Sequence, residues 1–239
     1  MEISLPIPGG KFRIWKEICK YFPLIGNTYI ELFAGRGNIF FNFKQIADYG
    51  RWIINDKFNG RFFKAIKIVN IADLPREVTD ATFEEWKIKS LLNDPVALIL
   101  EPVITFKGKG YDAGCGVNSS HSRYNYEIFK KKLIRMQYLL NDVTILQGDW
   151  IDVDIKSLLF DDFIYCDPPY LHTESVGYPN INHEELILKI FECKCQWAIS
   201  GYETELYLQL LGEPIVRIER NLEMSNKSNQ VIECLWINY

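Results

Sequence analysis

Short apolar runs alternate with amphipathic stretches along most of the chain, a pattern typical of an α/β domain. Apolar runs predict strands at 28–35 (TYIELFAG), 51–56 (RWIIND), 145–150 (ILQGDW), 162–170 (DFIYCDPPY) and 196–202 (QWAISGY). The last two apolar runs, 213–221 and 230–238, alternate strictly and flank a polar turn at 222–229. These two runs predict a C-terminal β-hairpin.

Between the predicted strands lie segments whose apolar residues recur at helical spacing. This spacing predicts helices at 11–22, 57–70, 127–140, 183–192 and 203–211. One segment, 102–123, is instead rich in glycine and polar residues and has little periodicity. Residues 102–142 carry seven basic and three acidic side chains, so this stretch is positive within a chain of net charge -4. It is either a solvated loop with a lysine-rich helix or an inserted surface that meets phosphate.

Composition narrows the function classes. A net charge of -4 argues against a surface that is basic all over, although a local basic patch is compatible with it. The first residues lack a charged leader followed by an apolar stretch, and no apolar run approaches the ~18 residues that span a bilayer. With three histidines and six scattered cysteines, no zinc-ligand spacing emerges. We expect a soluble, cytoplasmic protein with no membrane partner and no metal.

A glycine turn follows the first predicted strand. Gly35 and Gly37 lie between that strand and the next helix, where glycine lets the backbone approach a ligand. Phe40 stands where a dinucleotide fingerprint has its third glycine, which weakens a nicotinamide-dependent interpretation. Asp56 closes the next strand and suits ribose hydroxyls, or it is the N-cap of the following helix.

Two further acids lie near predicted strand ends. Asp149 beside Trp150 suits an adenine ring, and a capping acid with a core tryptophan is an equally good interpretation. Glu31, inside the first strand, is close enough to the glycine turn to sense a positively charged ligand.

Taken together, the motifs resemble the Dam-type family of DNA adenine methyltransferases. The similar segments are PGGKFRIWKEICKYFP, ELFAGRGNIFF, INDKFNGRFFKAI, the tetrapeptide within YCDPPY, and SGYETELYLQLL. They keep the family's order and extend from residue 8 to about residue 212. DPPY is the most specific element, and the ordered set is more specific than any one part.

The resemblance implies a Rossmann-like sheet that binds S-adenosylmethionine and releases S-adenosylhomocysteine. Residues 1–70 and 143–239 would form this catalytic domain, and 71–142 would be an inserted target-recognition region. By the same resemblance, the cofactor would be contacted by Lys11, Gly35, Gly37, Asp56, Asp149 and Asp167. Glu31 and Trp150 are further candidate cofactor contacts, from their positions beside the glycine turn and Asp149. Ile7 occupies a cofactor-contacting position that is often aromatic in relatives. The insertion departs from that of relatives that read GATC, so GATC specificity is not carried over.

The tetrapeptide supplies a mechanism. Adenine's exocyclic amine is a poor nucleophile, and two acceptors aimed at its N–H groups would favour attack on a sulfonium methyl group. The natural pair is the Asp167 carboxylate and the Pro168 carbonyl, because successive prolines hold an irregular backbone. Tyr170 would stack on a flipped-out base. Lys107, Lys109, Arg123, His172 and Tyr178 are the candidate contacts to nucleic acid.

The predicted function is therefore site-specific adenine methylation of double-stranded DNA by a prokaryotic or phage-encoded enzyme. The alternatives are an RNA adenine methyltransferase with the same chemistry, and a catalytically silent DNA-binding relative. We expect a monomer, with a restriction endonuclease as a conceivable partner. The sequence does not specify the recognised site.

Overall fold

The computed structural model describes residues 1–7, 9–115, 124–171, 180–224 and 227–239, with the side chains of 221–224 and 227–230 outside that description. Its strands are β1 (Ile25–Glu31), β2 (Asp48–Asn55), β3 (Val143–Leu146), β4 (Phe163–Cys166), β5 (Gln196–Tyr202), β6 (Val216–Met224) and β7 (Lys227–Ile237). They form one sheet in the order β3-β2-β1-β4-β5-β7-β6. Strands β1 to β5 pair in parallel, while β7 is antiparallel to both β5 and β6. The predicted Rossmann-like sheet, mostly parallel with a C-terminal antiparallel hairpin, is confirmed.

The helices are α1 (Trp15–Cys19), α2 (Phe40–Phe43), α3 (Gly60–Ile68), α4 (Asp80–Leu91), α5 (Pro95–Ile104), α6 (Tyr126–Leu140), α7 (His183–Phe191) and α8 (Glu205–Leu211). Side-chain oxygens cap four of them at the N-terminus, where backbone N–H groups lack helical partners. The capping residues are Asp94, Asn125, Asn182 and Thr204. Across the described ranges, none of the helices is both long and apolar enough to cross a bilayer.

Alternation along the central strands builds two hydrophobic layers. Tyr29 and Phe163 point into one layer, with α1, α3, α5 and α6, whereas Ile30 and Ile164 point into the other, with α7 and α8. The central strands are therefore covered on both faces, which explains why they read as nearly continuous apolar runs.

Two helices were not predicted from the pattern. The sequence of α5, PVALILEPVI, is apolar at nearly every position and most of its residues are buried, so it has no polar face that would mark it as a helix. The polar helix α4 buries Phe83 and Ser90 and has a weak period as well. The apolar pattern reveals a helix only where a clear apolar face and a clear polar face are both present.

Helices from 71–142 share the hydrophobic layer of the sheet. Phe83, Ile99 and Leu133 belong to the same buried cluster as Tyr29 and Phe63. The division of the chain into a catalytic domain and an inserted region stays a prediction, and any such region is packed onto the sheet through a continuous core.

Two asparagines hold the N-terminal segment. The Asn42 side chain accepts from the Ile3 N–H (2.9 Å) and donates to the Ile3 carbonyl (2.7 Å). Asn38 makes the same pair of bonds with Leu5, both at 3.0 Å. These side-chain amides make the hydrogen bonds that a neighbouring strand would make, so the buried backbone groups of Ile3 and Leu5 are not left unpaired. The segment that leads to Ile7 and Lys11 is fixed in this way.

The C-terminal hairpin is longer than its alternating runs. Pairing continues to Met224 and Lys227, so its turn is shorter than the predicted polar stretch 222–229. Polar residues in these strands made the turn look longer.

Candidate active site

The glycine turn has the backbone that its sequence predicts. Gly35 and Gly37 have φ values of 54° and 76°, in the left-handed region that favours glycine. A Cβ at Gly37 would lie 2.8 Å from the Phe41 ring and 3.0 Å from the Phe63 ring. Ile7 lies beside the turn, 3.4 Å from the position that a Cβ of Gly35 would take.

Asp56 joins this turn to the next helix. Its Oδ2 accepts from the Gly35 N–H (2.8 Å), and its Oδ1 accepts from the backbone N–H groups of Phe58 (2.9 Å) and Asn59 (2.6 Å). Asp56 therefore caps the segment before α3, and its Oδ2 keeps a lone pair on the side of the glycine turn. Burial raises its pKa above the usual range, whereas these hydrogen bonds lower it.

Asn55 aligns three strand ends. Its amide donates to the carbonyls of Leu32 (3.1 Å) and Gly148 (3.2 Å), and its oxygen accepts from the Gly148 N–H (3.2 Å). The segments that follow β1 and β3 are thereby fixed to the end of β2. Nothing in the local pattern marks Asn55, because its role depends on which strands are neighbours.

A cavity of about 320 Å³ opens where these strands end. Such a volume is at the lower end of the range for small-molecule sites. It is lined by Leu32, Phe33, Asn55, Asp56, Lys57, Phe58, Gly148, Asp149, Trp150, Ile151, Pro169, Asn180, Ile181, Asn182 and Glu185. Because Pro169 belongs to the DPPY tetrapeptide, the cavity borders the segment that carries the catalytic candidates.

The cavity combines apolar walls with one charged pair. Lys57 donates to Asp149 Oδ2 (2.8 Å), and this hydrogen bond lowers the pKa of Asp149. Trp150 is buried in the core and contributes an edge of the wall, with its ring centroid 6.4 Å from that of Phe33. Phe58 is 41% exposed and lines the same cavity, so it is a stacking candidate that the sequence did not reveal.

Glu31 is buried and is not among the residues that line the cavity. Its carboxylate accepts from the Tyr29 hydroxyl (2.7 Å), and burial raises its pKa well above the usual range. Its predicted contact with a positively charged ligand stays a prediction.

Asp167 is the first residue after β4, and its carboxylate contacts Lys11. Lys11 Nζ and Ser200 Oγ both donate to Asp167 Oδ1, at 2.5 Å and 3.0 Å. Because Ser200 donates to Asp167, its oxygen accepts from the Tyr165 hydroxyl (2.8 Å). No donor among the described residues is bonded to Asp167 Oδ2, and 20% of the side chain is exposed. Burial raises the pKa of Asp167, and the Lys11 charge opposes this rise.

Tyr170 is held from both ends. Its hydroxyl accepts from Lys11 Nζ and donates to the Glu233 carboxylate, whose two oxygens are each 2.9 Å away. Its ring packs on Tyr202 with centroids 4.1 Å apart and planes at 33°. Base stacking by Tyr170 stays a prediction, and Tyr202 is an aromatic neighbour that the sequence did not reveal.

The other predicted contacts are only partly described. Pro168 is buried beside Asp167, and its carbonyl stays a candidate acceptor. Gly108 lies against the Pro6 carbonyl, so the loop that carries Lys107 and Lys109 borders the segment leading to Ile7. The remaining three candidates, Arg123, His172 and Tyr178, lie outside the described residues.

The residues present fit S-adenosylmethionine. The cavity has apolar walls for an adenine ring, and the Asp149 carboxylate lies at its rim. The carboxylate of Asp56 faces the glycine turn. Apolar walls with two separate carboxylates suit a nucleoside rather than a metal ion. The described residues contain no group of three or more metal-ligating side chains.

The sheet order and this site at its carboxyl edge define a Rossmann-like methyltransferase. A family model for D12 class N6 adenine-specific DNA methyltransferases matches residues 8–90 and 110–191, and the chain belongs to that family. Membership implies S-adenosylmethionine as the methyl donor.

Individual relatives are more distant. The modification methylase StsI of Streptococcus sanguinis is 27% identical over 193 residues, which cover 69% of this chain and 28% of that protein. Among solved structures, the C-terminal domain of a precorrin-6Y C5,15-methyltransferase from Rhodobacter capsulatus aligns with a TM-score of 0.43 and 10% identity, over 94% of this chain and 87% of that chain. A human methyltransferase 10 domain containing protein aligns with a TM-score of 0.35 and 9% identity, over 98% and 84%.

Proposed function

We propose that the protein transfers the methyl group of S-adenosylmethionine to the exocyclic amine of adenine in double-stranded DNA. The proposal is carried by the geometry of Asp167 at the end of β4. Lys11 and Ser200 both donate to its Oδ1, and neither of them is bonded to its Oδ2. The family supports adenine in DNA as the substrate.

The chain's own residues would do the following. The cavity would orient the cofactor through Asp56, Asp149 and its apolar walls. The bound cofactor supplies an electrophilic methyl group on a sulfonium. Asp167 Oδ2, with the Pro168 carbonyl, would accept hydrogen bonds from the target amine and stabilise its developing positive charge. No covalent enzyme intermediate is needed, since positioning accounts for most of the remaining rate.

The target base would have to leave the duplex to reach Asp167, at a cost of roughly a few kcal/mol. Lys107 and Lys109 border the N-terminal segment and would contact phosphate. A restriction endonuclease partner and a monomeric state are part of this proposal, and StsI is itself described as a modification methylase.

The direct test supplies labelled S-adenosylmethionine with duplex DNA, single-stranded DNA and RNA, followed by identification of the modified nucleoside by mass. We expect N6-methyladenine in duplex DNA for the wild type. An Asp167→Asn variant should lose at least about 100-fold in kcat while it still binds the cofactor. Labelled RNA with unlabelled DNA would overturn the proposal in favour of the RNA alternative.

A further inference from the structure

Two charged residues of the C-terminal hairpin enter the active site. Glu233 on β7 is fully buried, and its Cα pairs with Tyr202 on β5 and with Ile218 on β6. Arg220 on β6 donates to the Glu233 carboxylate at 2.9 Å. Neither residue belongs to a motif that marks the cofactor loop or the DPPY tetrapeptide, and the family model's match ends at residue 191.

The pair holds two segments that are far apart in sequence. The second guanidinium nitrogen of Arg220 donates to the Gly10 carbonyl (3.0 Å), next to Lys11. The Glu233 carboxylate accepts from the Tyr170 hydroxyl, three residues after Asp167. The hairpin therefore sets the glycine-glycine-lysine segment against the DPPY tetrapeptide.

Glu233 also competes for the Lys11 charge. Lys11 Nζ lies 2.5 Å from Asp167 and 3.6 Å from Glu233, and the Lys11 side chain is only 2% exposed. In such a buried site two carboxylates share one ammonium group, with Arg220 balancing the second negative charge. A buried carboxylate would be costly without both cations.

We infer that Glu233, supported by Arg220, is a positioning residue for the proposed methyl transfer, because it holds Tyr170 against Tyr202 and draws part of the Lys11 charge away from Asp167. This inference rests on the proposed function. Removal of the Glu233 charge would leave Asp167 as the one carboxylate of this pair that shares the Lys11 charge, and the Asp167 carboxylate would become a weaker acceptor for the target amine.

The groups that face the Glu233 carboxylate come from several elements. They are Lys11 from the N-terminal segment, Asp167 and Tyr170 from the segment after β4, Tyr202 from β5 and Arg220 from β6. The charge of Asp167 is also one of the causes that raise the pKa of Glu31 of β1. The negative charge of Glu233 is one of the causes that raise the pKa of Asp167, so its loss would lower that pKa.

The test compares Glu233→Gln with Glu219→Gln, a matched loss of charge at an exposed position of the same hairpin. At saturating S-adenosylmethionine and DNA, we expect Glu233→Gln to lower kcat about tenfold or more, from loss of hydrogen bonds to a charged group. The KM for S-adenosylmethionine should change little, and the acidic limb of the kcat profile should move to lower pH. Glu219→Gln should match the wild type. Equal kcat and an equal pH profile for both variants would overturn the inference while the proposed function stands.

A second measurement does not require activity. A double-mutant cycle of Tyr170→Phe and Glu233→Gln, read by denaturant unfolding, should show coupling of at least about fivefold in the unfolding equilibrium constant. Additive effects would overturn the inference even if the wild type proved inactive on DNA. If Tyr170 and Glu233 proved coupled but the protein did not methylate DNA, the contact between them would be confirmed and the proposed function would be rejected.

Discussion

At the scale of single residues, the proposed catalytic role of Asp167 depends on which of its two carboxylate oxygens is already hydrogen-bonded. Lys11 and Ser200 both occupy Asp167 Oδ1, so the second oxygen is the acceptor available to a substrate amine. The DPPY tetrapeptide predicted the carboxylate itself. Ser200, which orients it through a hydrogen bond, lies 33 residues later and becomes its neighbour only through the pairing of β4 with β5.

Activity should fall at acidic pH because Asp167 must be ionised to accept hydrogen bonds. Burial raises the pKa of Asp167, so kcat should rise with pH through an apparent pKa above the ordinary aspartate value and then level off. Initial rates at saturating substrates from about pH 3 to 9 check this expectation, because the series then starts below the ordinary aspartate pKa. Asp149 cannot produce this limb, because Lys57 lowers its pKa.

The sign of the linked stability effect separates this loss from unfolding. A carboxyl whose pKa is raised on folding binds protons more readily in the folded state, so its contribution to stability increases as the pH falls through that pKa. Circular dichroism should therefore show an intact fold where kcat has already dropped. A kcat that stays flat down to the acidic end of the series would contradict the assignment of Asp167.

At the scale of elements, the N-terminal segment depends on α2 and its flanking residues. Asn38 and Asn42 are four residues apart, so they share one face of the helical turn and reach alternate residues, Leu5 and Ile3, of the extended segment. The segment then continues to Ile7 beside the glycine turn and to Lys11 beside Asp167.

Asn42→Ala should therefore impair both stability and cofactor binding. The loss of buried hydrogen bonds to Ile3 should lower the free energy of unfolding by about 1–3 kcal/mol. The affinity for S-adenosylmethionine, measured by calorimetry, should fall as well, because Lys11 loses its support. Asn27→Ala, at an exposed asparagine, is the control. Unchanged affinity in Asn42→Ala would show that Lys11 is positioned without the anchor.

The loop after α5 is the described element that suits phosphate. Replacing Lys107 and Lys109 with alanine should weaken DNA binding and reduce the slope of log K against log salt by about 2, roughly 0.9 for each phosphate that is no longer neutralised. Fluorescence anisotropy over a series of salt concentrations measures this slope. The double variant Lys20→Ala, Lys194→Ala, at exposed lysines elsewhere, should leave it unchanged. An unaltered slope in the loop variant would show that this loop is a solvated surface that does not contact phosphate.

At the scale of the whole molecule, one core links the sheet to the helices of 71–142. Phe83 of α4 and Ile99 of α5 are buried in the cluster that contains Tyr29 of β1. Arg36 of the glycine turn also pairs with Glu101 of α5. The predicted target-recognition region is therefore in direct contact with the glycine turn through this ion pair.

The chain should accordingly unfold in a single transition. Far-ultraviolet circular dichroism and tryptophan fluorescence should give coincident denaturant curves, since Trp52 of β2 and Trp86 of α4 report on both parts. S-adenosylmethionine at about 100 times its Kd should shift both curves together by about 2.7 kcal/mol. Two separated transitions would show that the two parts unfold independently.

By itself, the sequence determined the sheet's central strands, the glycine turn, the DPPY segment and the hairpin, because each is written in a local period or a short motif. It left α5 undetected, since a helix that is apolar at nearly every position has no polar face to mark it. Only the tertiary structure brought Ser200, Arg220 and Glu233 to Asp167 and Tyr170, and Asn55 to Gly148. Those contacts depend on strand order and register, which long-range packing sets and no local pattern encodes.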